Sequence, residues 1–318
     1  MSPGLAGEFG WVEPPTDMTD ATGWSLKNGY GGINSPMEED ISSADIDGLW
    51  DYGDPAASEV RFRELLASVS STASRHEIRT QIARSLGLQR RFDEALLELE
   101  AVPDDSATLR VRKALEWGRV LNSSGRPGEA VPWFETALRE SEGIAELEYY
   151  HVDAAHMLGI AAPAEDRLRW NLRAIDLARS ASDERARGWL GSLLNNTGWS
   201  LHDLGRFEEA HALFVEALEY RRIHGSPTTV RIAHWCVGRS LRSLGRLDEA
   251  LAIQSGLVSA GNDDEGYAHE EMGELLLQME RGDEAKPYFE VAHERLSKDP
   301  WLSANEPQRI ERLATLSR

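Results

Sequence analysis

Residues 198–217 read GWSLHDLGRFEEAHALFVEA, and this stretch decides the fold. The small residue Gly198 is followed twelve residues later by Ala210, which closes the acidic turn Arg206-Phe207-Glu208-Glu209. The signature occurs five times, with the pairs of small residues Ala83/Ala95, Gly118/Ala130, Gly198/Ala210, Gly238/Ala250 and Gly273/Ala285. Self-similarity at a recurring spacing indicates a repeat architecture.

Each signature predicts two antiparallel helices joined by a tight turn. Such helices approach closely only where small residues face each other, and large side chains then fill the space against the next pair. Glycine inside a helix costs about 1 kcal/mol relative to alanine, so its return at one register indicates a packing requirement. The acidic residues after each turn fall in the first turn of the second helix, where the helix dipole favours them.

The signature resembles the tetratricopeptide repeat (TPR) family, whose unit is about 34 residues long. The resemblance implies an all-α, right-handed superhelical solenoid of about six helix pairs. The gap of 80 residues between Gly118 and Gly198 predicts an additional repeat. In that repeat Ala155 is in register, residues 170–177 form the second helix, and Arg167 stands where alanine is expected. The repeats would cover about residues 73–296, with capping helices at 56–69 and 305–317.

The composition excludes several classes of protein. The 318 residues carry a formal net charge of −20, which opposes nucleic acid as a partner because phosphate binding needs basic surface. No apolar run is long enough to cross a membrane, and the N-terminus does not resemble a signal peptide. One cysteine, Cys236, argues against a disulfide framework and a cysteine zinc site. We expect a cytoplasmic monomer, and the bias toward arginine over lysine suggests a bacterial source.

Residues 1–54 read as a separate acidic segment of low structure, and residues 55–318 as the repeat domain. The segment holds 11 of the 54 acidic residues but one basic residue, Lys27. It is rich in Gly, Pro and Ser and has no sustained apolar period, which is typical of a disordered or extended chain. Met37 offers an alternative start, in which case residues 1–36 would be an upstream extension or an expression remnant.

Motifs for catalysis are missing from the sequence. There is no phosphate-binding loop and no nucleophile elbow. The run His269-Glu270-Glu271 begins like a metalloprotease motif, but Gly273 stands where its second histidine belongs. His151 and His156 are five residues apart, off a shared helix face. We therefore predict neither an enzyme nor a cofactor or metal site.

The resemblance implies a peptide-binding groove, because the first helix of each TPR lines the concave surface. It assigns to this groove Arg84, Glu116, Arg119, Asn122, Asp153, His156, Asn195, Asn196, Trp199, His202, Trp235, Arg239, Arg242, Glu270 and Glu274, with Thr80, Gln81 and Glu271 beside them. Trp199 and Trp235 are expected to be exposed aromatic anchors. Asn195 and Asn196 suit an extended peptide backbone, and the arginines suit an acidic ligand.

The run Leu193-Leu194-Asn195-Asn196 resembles kinesin light chain repeats, which bind short peptides bearing a Trp beside an acidic residue. The carboxylate clamp of chaperone-binding TPRs is not matched. The sequence Gly48-Leu49-Trp50-Asp51-Tyr52 is itself an acidic-aromatic motif. It is either an internal occupant of the groove, through Leu49, Trp50 and Asp51, or a simple cap on the first helices.

The sequence thus predicts a non-enzymatic scaffold that binds a peptide or protein partner in its groove, and its own acidic N-terminal tail is a candidate gate for that groove. The alternative is a regulatory or sensor module of a bacterial signalling pathway.

Overall fold

The computed structural model describes residues 41–261 and 266–318, so the predictions for residues 1–40 lie outside the described residues. The described chain divides into two compact units, residues 41–193 and residues 194–318, called here the N-terminal and C-terminal units. Both are built from α-helices, and residues 41–261 and 266–318 contain no β-strand. None of the helices in this part of the chain combines the length and the apolar character that a membrane crossing needs.

The N-terminal unit consists of nine α-helices in its described residues and one 3₁₀ turn. They are α1 (Ser43–Asp47), α2 (Pro55–Ser68), α3 (Thr72–Leu88), α4 (Phe92–Glu100), α5 (Ala107–Ser123), α6 (Pro127–Ser141), the 3₁₀ turn Ala145–Leu147, α7 (Glu148–Ala161), α8 (Ala164–Ser180) and α9 (Glu184–Gly188). The next helix, α10 (Leu190–Asp203), runs across the division between the units.

The C-terminal unit continues the pattern of paired helices. Its helices after α10 are α11 (Phe207–His224), α12 (Pro227–Ser243), α13 (Leu247–Ser259), α14 (Tyr267–Gln278), α15 (Gly282–Leu296), α16 (Pro300–Asn305) and α17 (Pro307–Leu316). The six predicted repeats are therefore confirmed as α3/α4, α5/α6, α7/α8, α10/α11, α12/α13 and α14/α15. The capping helices correspond to α2 and α17, while α1, α9 and α16 were not predicted.

The recurring glycines allow the two helices of a repeat to touch. A Cβ atom at Gly118, Gly198 or Gly273 would lie 2.4, 2.6 or 2.7 Å from a ring atom of the phenylalanine sixteen residues later. These rings, Phe134, Phe214 and Phe289, are fully buried. The rings cannot retreat from an added methyl group, so the packing requirement inferred from the repeated register is confirmed.

The third repeat replaces this aromatic contact by a polar one. Its helices contain Ala155 and residues 170–177 as predicted, but Asn171 stands where three of the repeats have phenylalanine. The fifth repeat likewise has a polar residue at this position, Gln254, packed against Gly238. In the third repeat the closest approach moves one turn along, to Gly159, where a Cβ atom would lie 1.9 Å from Asn171 Oδ1. Arg167, which replaces the expected alanine, donates from Nε to the carbonyl oxygen of Ala162 at 2.9 Å.

The turns within the repeats share one backbone geometry. Each signature turn begins with an arginine, and the residue before that arginine has a positive φ. This residue is glycine at positions 125, 205 and 245, and it is Arg90 or Glu280 in the other two turns. Each arginine then pairs with the glutamate three residues later, as Arg206 does with Glu209 at 2.6 Å. These pairs are exposed, so they define the turn more than they stabilise the fold.

Residues 41–54 are more ordered than the sequence predicts. The segment forms α1, whose N-cap Ser42 accepts a hydrogen bond from the amide of Asp45. Ile46 is fully buried and Trp50 is 6% exposed. Both side chains pack into the apolar core around Phe62 and Ile78. The low-structure prediction is therefore wrong for residues 41–54, because apolar anchors hold them against the repeats.

Candidate functional site

The predicted groove residues of the N-terminal unit form one buried network of charges. Arg119 Nη1 lies 2.5 Å from Glu116 Oε1 within α5, and its other amino group pairs with Asp153 of α7. Arg84 of α3 lies 3.9 Å from the same oxygen of Glu116. Two arginines and two carboxylates thus balance one another across three successive repeats.

Burial has the largest effect on the pKa values of Glu116 and His156 in this network. It raises the pKa of Glu116 in spite of the two nearby arginines. It also lowers the pKa of His156 to about 4, so this imidazole is neutral at physiological pH. Glu116 Oε2, Asp153 Oδ1 and His156 Nδ1 are buried without a hydrogen-bond partner in the described residues. Buried polar atoms without a partner are uncommon in folded proteins.

Trp50 of the N-terminal segment occupies a pocket on the first repeat. Its indole Nε1 donates to Gln81 Oε1 at 2.7 Å. Its ring meets Phe62 edge-on at a centroid distance of 5.1 Å and stacks on Tyr52 at 4.9 Å. The guanidinium of Arg84 lies 5.5 Å from the indole centroid. The predicted contact between Trp50 and the first repeat is therefore present.

Asp47 of the same segment is anchored by three other helices. Its Oδ1 accepts from Arg112 Nη2 of α5 at 2.7 Å. Its Oδ2 accepts from Arg185 Nη2 of α9 at 2.7 Å and from the Tyr150 hydroxyl of α7 at 3.0 Å. Burial by itself would raise the pKa of Asp47, but the two arginines outweigh it and hold the pKa below its ordinary value. The carboxylate is therefore ionised while docked.

The two tryptophans predicted to be exposed anchors in the C-terminal unit are buried instead. Trp199 is 3% exposed and Trp235 is 7% exposed. Their ring centroids are 5.8 Å apart, and the ring of His202 lies 5.2 Å from that of Trp199. The expectation of open aromatic anchors is wrong, because neighbouring first helices bring these large rings against each other rather than leaving them to solvent.

The polar residues of this inner face are half-buried. Asn195 Oδ1 accepts from the thiol of Cys236 at 3.3 Å, and its amide lies 3.5 Å from Asn196 Oδ1. Arg242 Nη2 donates to Glu271 Oε2 at 3.0 Å, and Arg239 Nε lies 3.4 Å from the same oxygen. The arginines are thus paired with a carboxylate of the next repeat. Their capacity for an acidic ligand is reduced but not removed.

The acidic end of the predicted groove is neutralised by the last helix. Arg309 of α17 donates from Nε to Glu270 Oε1 at 2.9 Å. Arg312, one turn further, pairs with both oxygens of Glu274. The predicted capping helix therefore also supplies the counter-charges of α14. Asn122, the remaining predicted groove residue, is half-buried near the end of α5.

Sequence reasoning missed the residues that bind Asp47. Arg112 is 1% exposed and sits within the apolar stripe of α5, between Val111 and Ala114. A charged residue in a buried stripe needs an oppositely charged partner. The position of Arg112 in this stripe could therefore have indicated a buried ion pair. The partners of Arg112 lie 65 residues away at Asp47 and 38 residues away at Tyr150, so no local pattern connects them.

Comparisons with known proteins agree with this architecture. Residues 190–226, which span α10 and α11, match the family model described as "Tetratricopeptide repeat". No curated protein sequence matches the chain. The family match covers one of the six helix pairs, and the repeated signature and the paired helices give the described residues a fold of the tetratricopeptide-repeat type.

Several solved structures are similar. The apo form of RapI has a TM-score of 0.63 at 12% identity, with 85% of this chain and 82% of that chain covered. A signal transduction ATPase with a TPR sensor from Pyrococcus horikoshii has a TM-score of 0.61 at 12% identity. That match covers 86% of this chain, which spans about half (47%) of the ATPase. Kinesin light chain repeats from Podospora anserina have a TM-score of 0.46 at 16% identity, covering 66% and 99%. At these identities the likeness concerns the fold.

Proposed function

We propose that this chain is a non-enzymatic scaffold that binds a peptide or a protein partner on the inner face of its repeats. The observation that supports this is the docking of residues 41–52, which contact the first helices of three repeats through side chains, as a bound peptide does. TPR architecture serves protein–protein interaction, and the charges and hydrogen-bonding groups on α3, α5 and α7 suit a polypeptide. We expect a cytoplasmic, monomeric protein of bacterial origin that needs no cofactor.

The N-terminal segment gates this face in our proposal. A tethered occupant has an effective concentration on the order of mM when its linker is short, so a modest intrinsic affinity keeps it bound. An external partner must compete with it. Removal of the segment should then increase capture of the partner.

A capture experiment from the native host tests the scaffold. The full chain is compared with a chain lacking residues 1–54, and thermal melting shows whether the repeats remain folded. Stronger capture by the shortened chain is the expected result. Equal capture by two folded proteins would contradict the gating, and no specific partner for either would contradict the scaffold.

The C-terminal unit provides a second test. Asn196→Ala and Arg239→Gln each remove a hydrogen-bonding group from the inner face without placing a new charge beside Glu271. We expect weaker partner capture and a nearly unchanged melting temperature. Exposed Arg222→Gln on α11 serves as the control. Loss of folding in both variants would assign these residues to the core and not to a site.

A regulatory or sensor module is the second candidate. The gating segment gives the chain two arrangements, docked and undocked, which a switch requires. One of the similar structures is described as a TPR sensor within a larger signalling ATPase. If the chain has this role, partner binding should expose Trp50 and Tyr52 to chymotrypsin. Cleavage that is unaffected by a bound partner would favour a constitutive scaffold.

A further inference from the structure

The surface that holds Asp47 is a carboxylate site built by the repeats. Its donors are Arg112, Tyr150 and Arg185, which belong to α5, α7 and α9. Arg112 also contacts Thr80 of α3, from Nε to Oγ1 at 3.3 Å. The guanidinium is therefore positioned by the repeats themselves, independently of the segment that carries the carboxylate.

Charge explains why this site needs an acidic occupant. Arg112 and Arg185 bring two positive charges, and Glu77, 3.6 Å from Arg112, brings one negative charge. Asp47 supplies the balancing carboxylate. A buried guanidinium that loses its partner is strongly disfavoured. A ligand that displaces Asp47 while covering this surface must therefore bring a carboxylate of its own.

The segment is held by side-chain contacts, as a bound peptide is, although Ile46 and Trp50 also belong to the apolar core. Helix α1 is five residues long, and a single helical turn is not stable by itself. Besides the fully buried side chain of Ile46, the carboxylate of Asp47 and, three residues later, the indole of Trp50 hold it in place. The second anchor uses an amide acceptor, Gln81, and a ring edge, Phe62. These two subsites recognise different chemical groups at a fixed separation.

We propose that this surface binds a protein segment in which a carboxylate precedes a tryptophan by three residues, and that residues 41–52 are its displaceable internal occupant. This inference rests on the proposed function and specifies the chemistry of the partner. A free small carboxylate fills only the first subsite, whereas a segment with Asp-x-x-Trp fills both.

A labelled synthetic peptide of residues 41–54 is the probe, and the full-length chain is the receptor. In the chain, Asp47→Asn weakens the internal occupant without changing the sequence of the repeats. Asp45→Asn is the matched control, because Asp45 lies on the same helix, is exposed and, among the described residues, has its side-chain hydrogen bond with Ser42 of its own cap. We expect the probe to bind the Asp47→Asn chain about tenfold more tightly than the wild type, as loss of a tethered competitor predicts. The Asp45→Asn chain should behave as wild type.

The same pair of changes in the probe tests the carboxylate. With the Asp47→Asn chain as receptor, the Asp47→Asn peptide should bind about tenfold more weakly than the parent, because hydrogen bonds to charged groups are the strong ones. The Asp45→Asn peptide should match the parent. Chymotryptic cleavage after Trp50 in the full chain gives an independent readout, and it should accelerate in the Asp47→Asn chain alone.

Equal binding of the parent and Asp47→Asn peptides would overturn the carboxylate site. If the Asp47→Asn chain fails to fold, Trp50→Ala empties the second subsite instead, and tighter probe binding is again expected. No binding of the probe to either variant, with intact partner capture, refutes this inference and leaves the scaffold standing. Probe binding without any host partner supports the site and contradicts the proposed scaffold.

Discussion

The substitution Gly198→Ala tests the packing rule that creates the fold. The added Cβ atom would lie 2.6, 2.9 and 3.0 Å from three ring atoms of Phe214. Carbon atoms are in favourable contact at about 3.5–4.0 Å, so the methyl group overlaps the ring by roughly 0.5–1 Å. Phe214 is fully buried and cannot rotate away, so α10 and α11 must separate.

The expected free-energy change combines two opposing effects. Overpacking of a core costs about 1–3 kcal/mol, while replacing a helical glycine by alanine contributes about 1 kcal/mol in favour of folding. Gly256→Ala isolates the second effect, because Gly256 is exposed within α13 and a Cβ atom there meets nothing within 4 Å. The difference between the two substitutions should be about 1–3 kcal/mol.

Urea unfolding followed by circular dichroism measures both free energies. Repeat arrays can lose two-state behaviour, so hydrogen exchange of α10 and α11 should accompany it to show where the loss occurs. Gly198→Leu should destabilise more than Gly198→Ala. Phe214→Leu in the Gly198→Ala background should recover part of the loss, since contacting residues are not additive. A Gly198→Ala protein as stable as Gly256→Ala would refute the packing argument.

Three further predictions follow from local geometry. Glu280→Gly should stabilise the chain by about 0.4–1 kcal/mol in urea unfolding, because φ is +61° there and glycine relieves left-handed strain. Gly245→Ala, at the equivalent turn, should lower the free energy of unfolding instead. A change of the same sign in both variants would contradict this reasoning. The Cys236 thiol should not react with iodoacetamide at pH 8 until the protein unfolds, because burial raises its pKa to about 12; rapid native labelling would refute its burial. Burial lowers the pKa of His202 to about 4, below its value of about 6.5 in an unfolded chain. As the pH falls, the unfolded state therefore takes up the proton first, and the free energy of unfolding should decrease between pH 6.5 and pH 4. His202→Gln should flatten this dependence while His224→Gln, on an exposed position of α11, should not; identical pH profiles would contradict it.

The repeats were predictable because their determinants are local. The small residue, the acidic turn and the following apolar stripe lie within one helix pair. The sequence of each pair is therefore enough to predict its structure. The third pair, α7/α8, was found from spacing alone. The contact between Asn171 and Gly159 in this repeat was not predicted. What a polar residue contacts at this position depends on the helix that packs against it.

The candidate site was less predictable, and Trp199 shows why. The family register places it on the inner face, but that register does not tell whether a large side chain there points into solvent or against its neighbour. Trp235 decides this, and it belongs to α12, which only the stacking of repeats brings against α10. The charged residues behave alike: Arg242 and Glu270 were assigned to the groove one by one, and each has an oppositely charged partner on another helix.

The sequence by itself determined the helix pairs, their turns and the presence of an acidic-aromatic motif around Trp50. These features depend on residues close together along the chain, which propensity and periodicity report. Only the tertiary structure decided that Asp47 docks between Arg112 and Arg185, and that residues 41–54 are ordered. A buried charge is satisfied by whichever residue the fold brings to it, and here that residue lies 65 positions from Arg112 and 138 from Arg185.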